Sequence, residues 1–473
     1  MAKILFSQLN KTPVQNLTVW DLVLTPIYLV VLTYIAKQNR DKRYPPGHVL
    51  RKYYLQGLYV KFAGAIFIAL IYEFYYGGGD TYSFYKHSKI INSALSDSFE
   101  NWFYLIIHTP LADHPHLYPY ISQMEWYNDV SSYTVAAVSA VFGLINGNTY
   151  LPIALLFAYF SFTGIWAMYK TFVTIYPKLH KELAIAFLFI PSTFVWGSAI
   201  FKDTICMFGL GWLTYTSFRI FVNRDFSVKN IALLALSFYL IYTIKIYILL
   251  AFLPALSIWL LTTYSSKIQS AGLRFASKGI FIVISLYAFL YFSSIFSEEL
   301  ERYSLENIAG TAATTRSWIS YASGDEGSSY DLGEFDPSIE GMLLKFPQAV
   351  TVTLFRPFPW EGKKLIVLFS SLEAMVFIYF TLKAFFSRGI LISFQLISKD
   401  SNLLFFLVFS LIFAFAVGIS SYNFGALSRY KIPCLPFYAA LLIILQHSSK
   451  NSTTSRRGAI IRKSGAGNLV EYR

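Results

Sequence analysis

The sequence predicts an all-α polytopic membrane protein with about 11 transmembrane helices and two long exterior loops carrying interfacial helices. Composition is the first of three observations behind this. The 473 residues are 55% hydrophobic, 19% aromatic and 14% charged, where an average soluble domain carries about a quarter charged residues. Mean hydropathy is +0.48. The second is that apolar runs of about 18 to 20 residues recur along the chain, each long enough to cross a bilayer. The third is that Lys and Arg gather in short loops between those runs. The net charge of +13 therefore reads as positive-inside bias, and no nucleic acid is implied. Cys206 and Cys434 fall inside or at the ends of apolar runs and support neither a disulfide framework nor a metal site.

The first eighteen residues show no signal-peptide pattern, so the spans themselves are expected to drive insertion. Span one is about 19 to 36, and the loop after it holds Lys37, Arg40, Lys42, Arg43, Arg51, Lys52 and Lys61, which places it in the cytoplasm. Span two, about 57 to 76, then travels outward to GGGD and a first exterior segment, 77–149. The Pro and His content of HTPLADHPHLYPYISQMEWYND forbids a continuous helix there. Residues 131–145 are short for a span and suit a helix lying in the outer interface. Spans three (about 150 to 169), four (about 183 to 201) and five (about 204 to 222) follow. Spans six and seven share a long apolar run that turns outside near Lys245. Span eight (about 279 to 296) opens the second exterior segment, 297–364, and spans nine to eleven start at about 365, 402 and 433. Residues 1–446 are thus expected to form one catalytic membrane domain, and 447–473 a basic, disordered cytoplasmic tail.

In this topology the informative polar residues collect on the outer face. Asp80 follows Gly77, Gly78 and Gly79, which let backbone approach a ligand closely, and a carboxylate at the membrane boundary suits a general base. The plainer alternative is a helix-ending turn with a solvated acid. Tyr82, Tyr85, Lys86 and His87 stand where they could position a substrate or anchor the chain at the interface. His108, Asp113, His114 and His116 read as a group that binds a divalent cation, with Asp80 and His114 or His116 as ligands, or as acid–base and substrate-positioning residues, or as a hydrogen-bonded loop. Pro115 intervenes, however, and the spacing matches no rigid ligand pattern. Lys202 and Asp203 read either as a structural ion pair or as a cation for an anionic group with a positioning acid. Arg316, Arg356, Arg429 and Lys431 add positive charge on a face that normally lacks it. Pro357 and Pro359 stiffen the backbone that presents Arg356, and Glu361 follows. A carboxylate that activates a hydroxyl and cations that neutralise a leaving phosphate are what transfer from a lipid phosphate requires. No Walker or dinucleotide motif is present.

GGGDTYSFYKH after an early span, the exterior YTVAAVSAVFGL, and the succession YLPIALLFAYFSFTGIWAMYK, LAIAFLFIPSTFVWGSAIFKD, TICMFGLGWLTY resemble the GT-C superfamily of integral-membrane glycosyltransferases that use polyprenyl-linked sugars. The resemblance covers about residues 57 to 222 and implies a GT-C-like fold with Asp80 as catalytic base. An extra span precedes the acid, a departure from many members. NFGALSRYKIPCLP and FRPFPWE are similar to stretches of bacterial exopolysaccharide and O-antigen polymerase-like membrane proteins. The expectation is a transferase in the bacterial inner membrane, active on the periplasmic or extracellular face, taking a polyprenyl-phosphate-linked sugar to a hydroxyl acceptor. A polymerase using lipid-diphosphate glycans and a glycolipid flippase stand as alternatives.

Overall fold

In hydrocarbon a chain satisfies its backbone only as helices or closed barrels. Here the solution is helical: the computed structural model describes residues 16–265, 270, 314, 317, 330, 332–333, 339–362, 364–387 and 389–447, and no β-strand occurs among them. Seven helices of the described residues are long and apolar enough to cross a membrane, or eight if one bent pair counts as a span. That is consistent with a polytopic helical membrane protein. The expected span at about 279 to 296 and residues 297–313 lie outside the described residues, as does the tail beyond His447. The chain forms two compact units, Met1–Leu249 and Leu250–Arg473.

In the first unit, α1 (Val19–Arg43), α2 (Arg51–Phe74), α3 (Asp80–Ser93), α4 (Phe99–Ile106), α5 (Val130–Gly143) and α6 (Tyr150–Ile175) are followed by α7 (His180–Leu188), α8 (Pro191–Trp196) and α9 (Lys202–Ser217). A π-helical turn, Phe218–Val222, extends α9. The central member is α6, buried along most of its length and packed against α1, α2, α7 and α9. Small residues let its backbone approach α9: a Cβ on Gly211 would stand 2.0 Å from the Gly164 carbonyl oxygen. By contrast α1 leaves Val19, Trp20, Leu22 and Val30 exposed, as a lipid-facing helix would. Its N-terminus is stitched to that of α6 by one buried acid. Asp21 accepts from the Thr18 N–H and hydroxyl at 2.8 and 2.9 Å and from the Leu151 N–H at 2.7 Å.

The expected span at about 183 to 201 is a broken one. Pro191 cannot donate its nitrogen to a continuing helix, so α7 ends at Leu188 and α8 starts at the proline itself. Residues 197–201 are irregular and buried, the condition under which non-helical backbone is tolerated at membrane depth. Lys61, expected in the cytoplasmic loop, instead lies inside α2 and only 2% exposed. Its ammonium donates to Ser161 Oγ (3.1 Å) and to the carbonyls of Thr193 (3.4 Å) and Gly197 (2.6 Å) at the C-terminal end of α8. A cation there suits the helix dipole.

The long run expected to hold spans six and seven is helical on either side of a break, α10 (Val228–Ser265), with non-helical backbone at Lys245 (φ −148°, ψ 75°). Its 38 residues would measure about 57 Å if straight, nearly twice a hydrocarbon core. The lysine that marks the break is buried, 2.5 Å from Asp203 Oδ1.

In the second unit, α11 (Ile339–Leu344) and α12 (Phe346–Phe355) precede α13 (Leu365–Phe386), α14 (Ile390–Lys399), α15 (Ser401–Ser421) and α16 (Phe424–Tyr430). α12 lies on α15, where the Thr353 hydroxyl donates to the Ala414 carbonyl at 2.7 Å. The expected last span is the C-terminal member of a bent pair: α16 and α17 (Leu435–His447) meet at 69°. Pro433 falls in that bend, where an N–H is missing.

The buried ion pair gives a direct test. Removing one partner of such a pair costs about 3–5 kcal/mol, because a lone charge stays buried. Asp203→Asn and Lys245→Met should each destabilise the protein by that order, and the double variant by clearly less than their sum. Thermal unfolding of the purified protein in detergent measures the cycle; additive losses would show that the two side chains are not coupled.

Candidate functional site

Asp80 owes its place to the glycine turn. Gly77, Gly78 and Gly79 all have positive φ (69°, 137° and 133°), a region that side chains with a Cβ rarely enter. Gly79 is doubly restricted, since a Cβ would stand 2.6 Å from the Tyr72 ring. The Gly78 N–H closes the turn on the Tyr72 carbonyl at 2.8 Å. α3 starts at Asp80, half-buried, in a first turn where the helix dipole favours negative charge. One carboxylate oxygen accepts from the Thr81 N–H at 3.0 Å.

The next residues fix the direction in which that helix starts. The Thr81 hydroxyl and the Tyr150 phenol, both buried, lie 2.7 Å apart. The Tyr82 ring packs 4.4 Å from that of Tyr150, and the Tyr82 hydroxyl donates to the Ala69 carbonyl at 3.1 Å. Tyr85 donates to the Asn148 carbonyl at 2.7 Å, and burial pushes its phenol up to about 12, so it stays a donor at neutral pH. Tyr82 and Tyr85, expected at the interface or on a substrate, are thus inside the protein. His87 is also buried, edge-on to Trp126, and burial lowers its pKa against the opposing charge of Glu125.

Residues 77–149 carry a small core of their own. Ile91, Leu105, Leu117, Ile121, Tyr127, Tyr133 and Ala136 pack together, with α3 lying on α5. Asn92 ties the segment by donating to Ala140 O (2.8 Å) and Asn148 Oδ1 (2.5 Å) while accepting from Trp102 Nε1 (2.9 Å). His108 sits 2.7 Å from the Tyr127 carbonyl and stacks on Tyr133. His114 stacks on Tyr104 with centroids 3.8 Å apart, and His116 meets the same ring edge-on. Among the described residues no three His, Cys, Asp or Glu converge to hold a metal ion, so Asp80, His114 and His116 do not form the ligand set that the sequence offered.

Lys202 and Asp203, which the sequence offered as a pair, each reach a different neighbour; consecutive residues at the start of a helix point different ways. Asp203 goes inward to Lys245, and Lys202 reaches Asp129 Oδ2 at 3.1 Å and Ser131 Oγ at 2.7 Å. Asp129 in turn caps α5, accepting from the Ser131 N–H at 3.1 Å. Burial opposes its ionisation, yet the Ser132 and Ser131 hydroxyls and the Lys202 ammonium hold its carboxyl at about 2.

In the second unit Arg356 ends α12 in extended backbone and pairs with Glu361. Burial works against the Glu361 carboxylate, but the Arg356 guanidinium holds its pKa below the usual range. Lys431, fully buried in the bend between α16 and α17, donates to the Arg356 carbonyl at 3.2 Å. Arg429 is half-buried on α16. Arg316 lies outside the described residues.

No family model matches the chain, and no curated protein or solved structure is similar to it. Asp21 and Tyr150 went unnoticed in the sequence. The first had a signal, since Thr18 and Asp21 have the spacing of a capping box. Tyr150 had none, because only the fold brings it to Thr81.

The Asp129 junction predicts a pH dependence. A carboxyl held at about 2 in the folded chain and near 3.9 unfolded contributes stability that is complete above about pH 4 and lost as pH falls through about 2. The stability difference between wild type and Asp129→Asn should therefore shrink across that window, followed by tryptophan fluorescence in urea. A difference unchanged at pH 2 would contradict it.

Proposed function

We propose that the protein is a membrane glycosyltransferase that moves a sugar from a polyprenyl-phosphate-type carrier to a hydroxyl acceptor, with Asp80 as general base. The observation that carries this reading is the placement of Asp80. A half-buried carboxylate starts a helix behind three positive-φ glycines, held by the buried Thr81 and Tyr150 contact. Such a group is partly desolvated, rigidly directed and approachable along bare backbone, which suits proton abstraction from an alcohol. In the reaction the acceptor oxygen attacks the anomeric carbon as its proton passes to Asp80. The bond from that carbon to the phosphate oxygen breaks, and the phosphate leaves with the electron pair. The departing charge needs a cation. Lys202, in the same unit as Asp80, is one candidate, already engaged by Asp129 and Ser131. The setting proposed is the outer face of a bacterial cytoplasmic membrane, in cell-surface glycan assembly.

The test is sugar transfer in proteoliposomes supplied with polyprenyl-linked sugars. Asp80→Asn should lower turnover by about 10²–10⁴-fold, the range of general-base catalysis, with thermal unfolding unchanged. Near-normal turnover in the variant would remove Asp80 from the mechanism. Lipid scrambling that persists in the variant with no glycosidic bond formed would point to transport instead.

A further inference from the structure

Arg356 is an immobilised guanidinium with one edge spare. Its Nε donates to the two Glu361 carboxylate oxygens at 3.0 and 3.1 Å, and Nη2 donates to Oε1, so one side of the fork is filled. Glu361 is itself held, accepting from the Phe358 N–H at 2.7 Å. The guanidinium carbon lies 5.1 Å from the ring centroid of Phe424 and 5.9 Å from that of Tyr330, both buried. Tyr330 cannot drift either: its N–H donates to Tyr422 O (3.0 Å), its hydroxyl to Gly418 O (2.9 Å), and its ring stacks on Tyr422 at 5.5 Å.

What remains is Nη1. It makes no hydrogen bond among the described residues, and the Arg356 side chain keeps 23% of its surface exposed. The Lys431 ammonium lies 3.2 Å from the Arg356 backbone carbonyl and interacts electrostatically with Glu373 on α13. Holding a guanidinium this rigidly costs side-chain entropy on folding, so that cost is not incurred again when a ligand binds.

We infer that Glu361 is a positioning residue: by locking the Nε and Nη2 edge of Arg356 it leaves the Nη1 edge to receive an anionic oxygen of a phosphate ester. Guanidinium donors match phosphate oxygens in geometry and charge. The inference rests on the phosphate-linked donor proposed above for its ligand class. The plain alternative is a clamp that only shapes the turn from Arg356 to Glu361.

The experiment measures binding to the full chain in phosphatidylcholine nanodiscs, with farnesyl phosphate, inorganic phosphate and farnesol as probes. Farnesyl phosphate should bind and farnesol should not compete. Hydrogen bonds to a charged group are worth about 1.5–3 kcal/mol, so Arg356→Lys should weaken binding by about tenfold or more. Glu361→Gln should also weaken it, and Glu361→Asp should restore part of the loss. Inorganic phosphate binding as tightly as the lipid would support the site and assign its anion to the free ion. A mere clamp would lower the melting temperature in both Glu361 variants and leave the dissociation constant of the folded protein unmoved; that result overturns the inference. So would tighter binding by Glu361→Gln, which would make Glu361 a competitor for the edge. If farnesyl phosphate binds with this variant pattern but no sugar is transferred, the transferase reading fails and the phosphate site stands.

Discussion

Charge and unpaired backbone inside hydrocarbon must be satisfied by the protein itself, and the first unit is arranged around that constraint. Its focus is the break in the chain between Leu188 and Lys202. Proline interrupts the helix, the short piece that follows ends in carbonyls with no onward helical turn to accept from, and the Lys61 ammonium reaches across from α2 to meet them. The next helix begins with a lysine and an acid that bind different neighbours, α5 through Asp129 and the break of α10 through Lys245. Helix ends and charges satisfy each other here.

The same economy runs through the helix N-termini. Asp21 serves two of them at once, and Asp129 caps α5 while pairing with Lys202. Asp80 differs because bare glycine backbone precedes it and the buried Thr81–Tyr150 contact follows it. An acid in a first turn is ordinarily a local stabiliser. The preceding glycines, whose conformation costs chain entropy, are what set this one apart.

Much of the helical architecture was legible because it depends on run length alone. The stretches that became α1, α2, α6, α13 and α15 are single long apolar segments, and their expected cores fall inside the observed helices. Errors arose where tertiary pairing decides. Lys61 looked like a loop cation because it lies near the start of an apolar run, and nothing local announces a carbonyl cluster 132 to 136 residues away. Lys202 and Asp203 looked like partners because they adjoin in sequence, yet neighbours on a helix diverge by about 100°. For the candidate site, the glycine turn could be read directly, since only a φ requirement explains three glycines in a row. Tyr150 and the restrained edge of Arg356 could not, because each depends on residues brought in by the fold.

The break in α10 also bears on how the protein is made. Lys245 interrupts an apolar run that would otherwise enter the membrane as one piece, and its counter-charge lies 42 residues upstream. Asp203 is therefore synthesised first, so the chain already holds the counter-charge when the lysine is made.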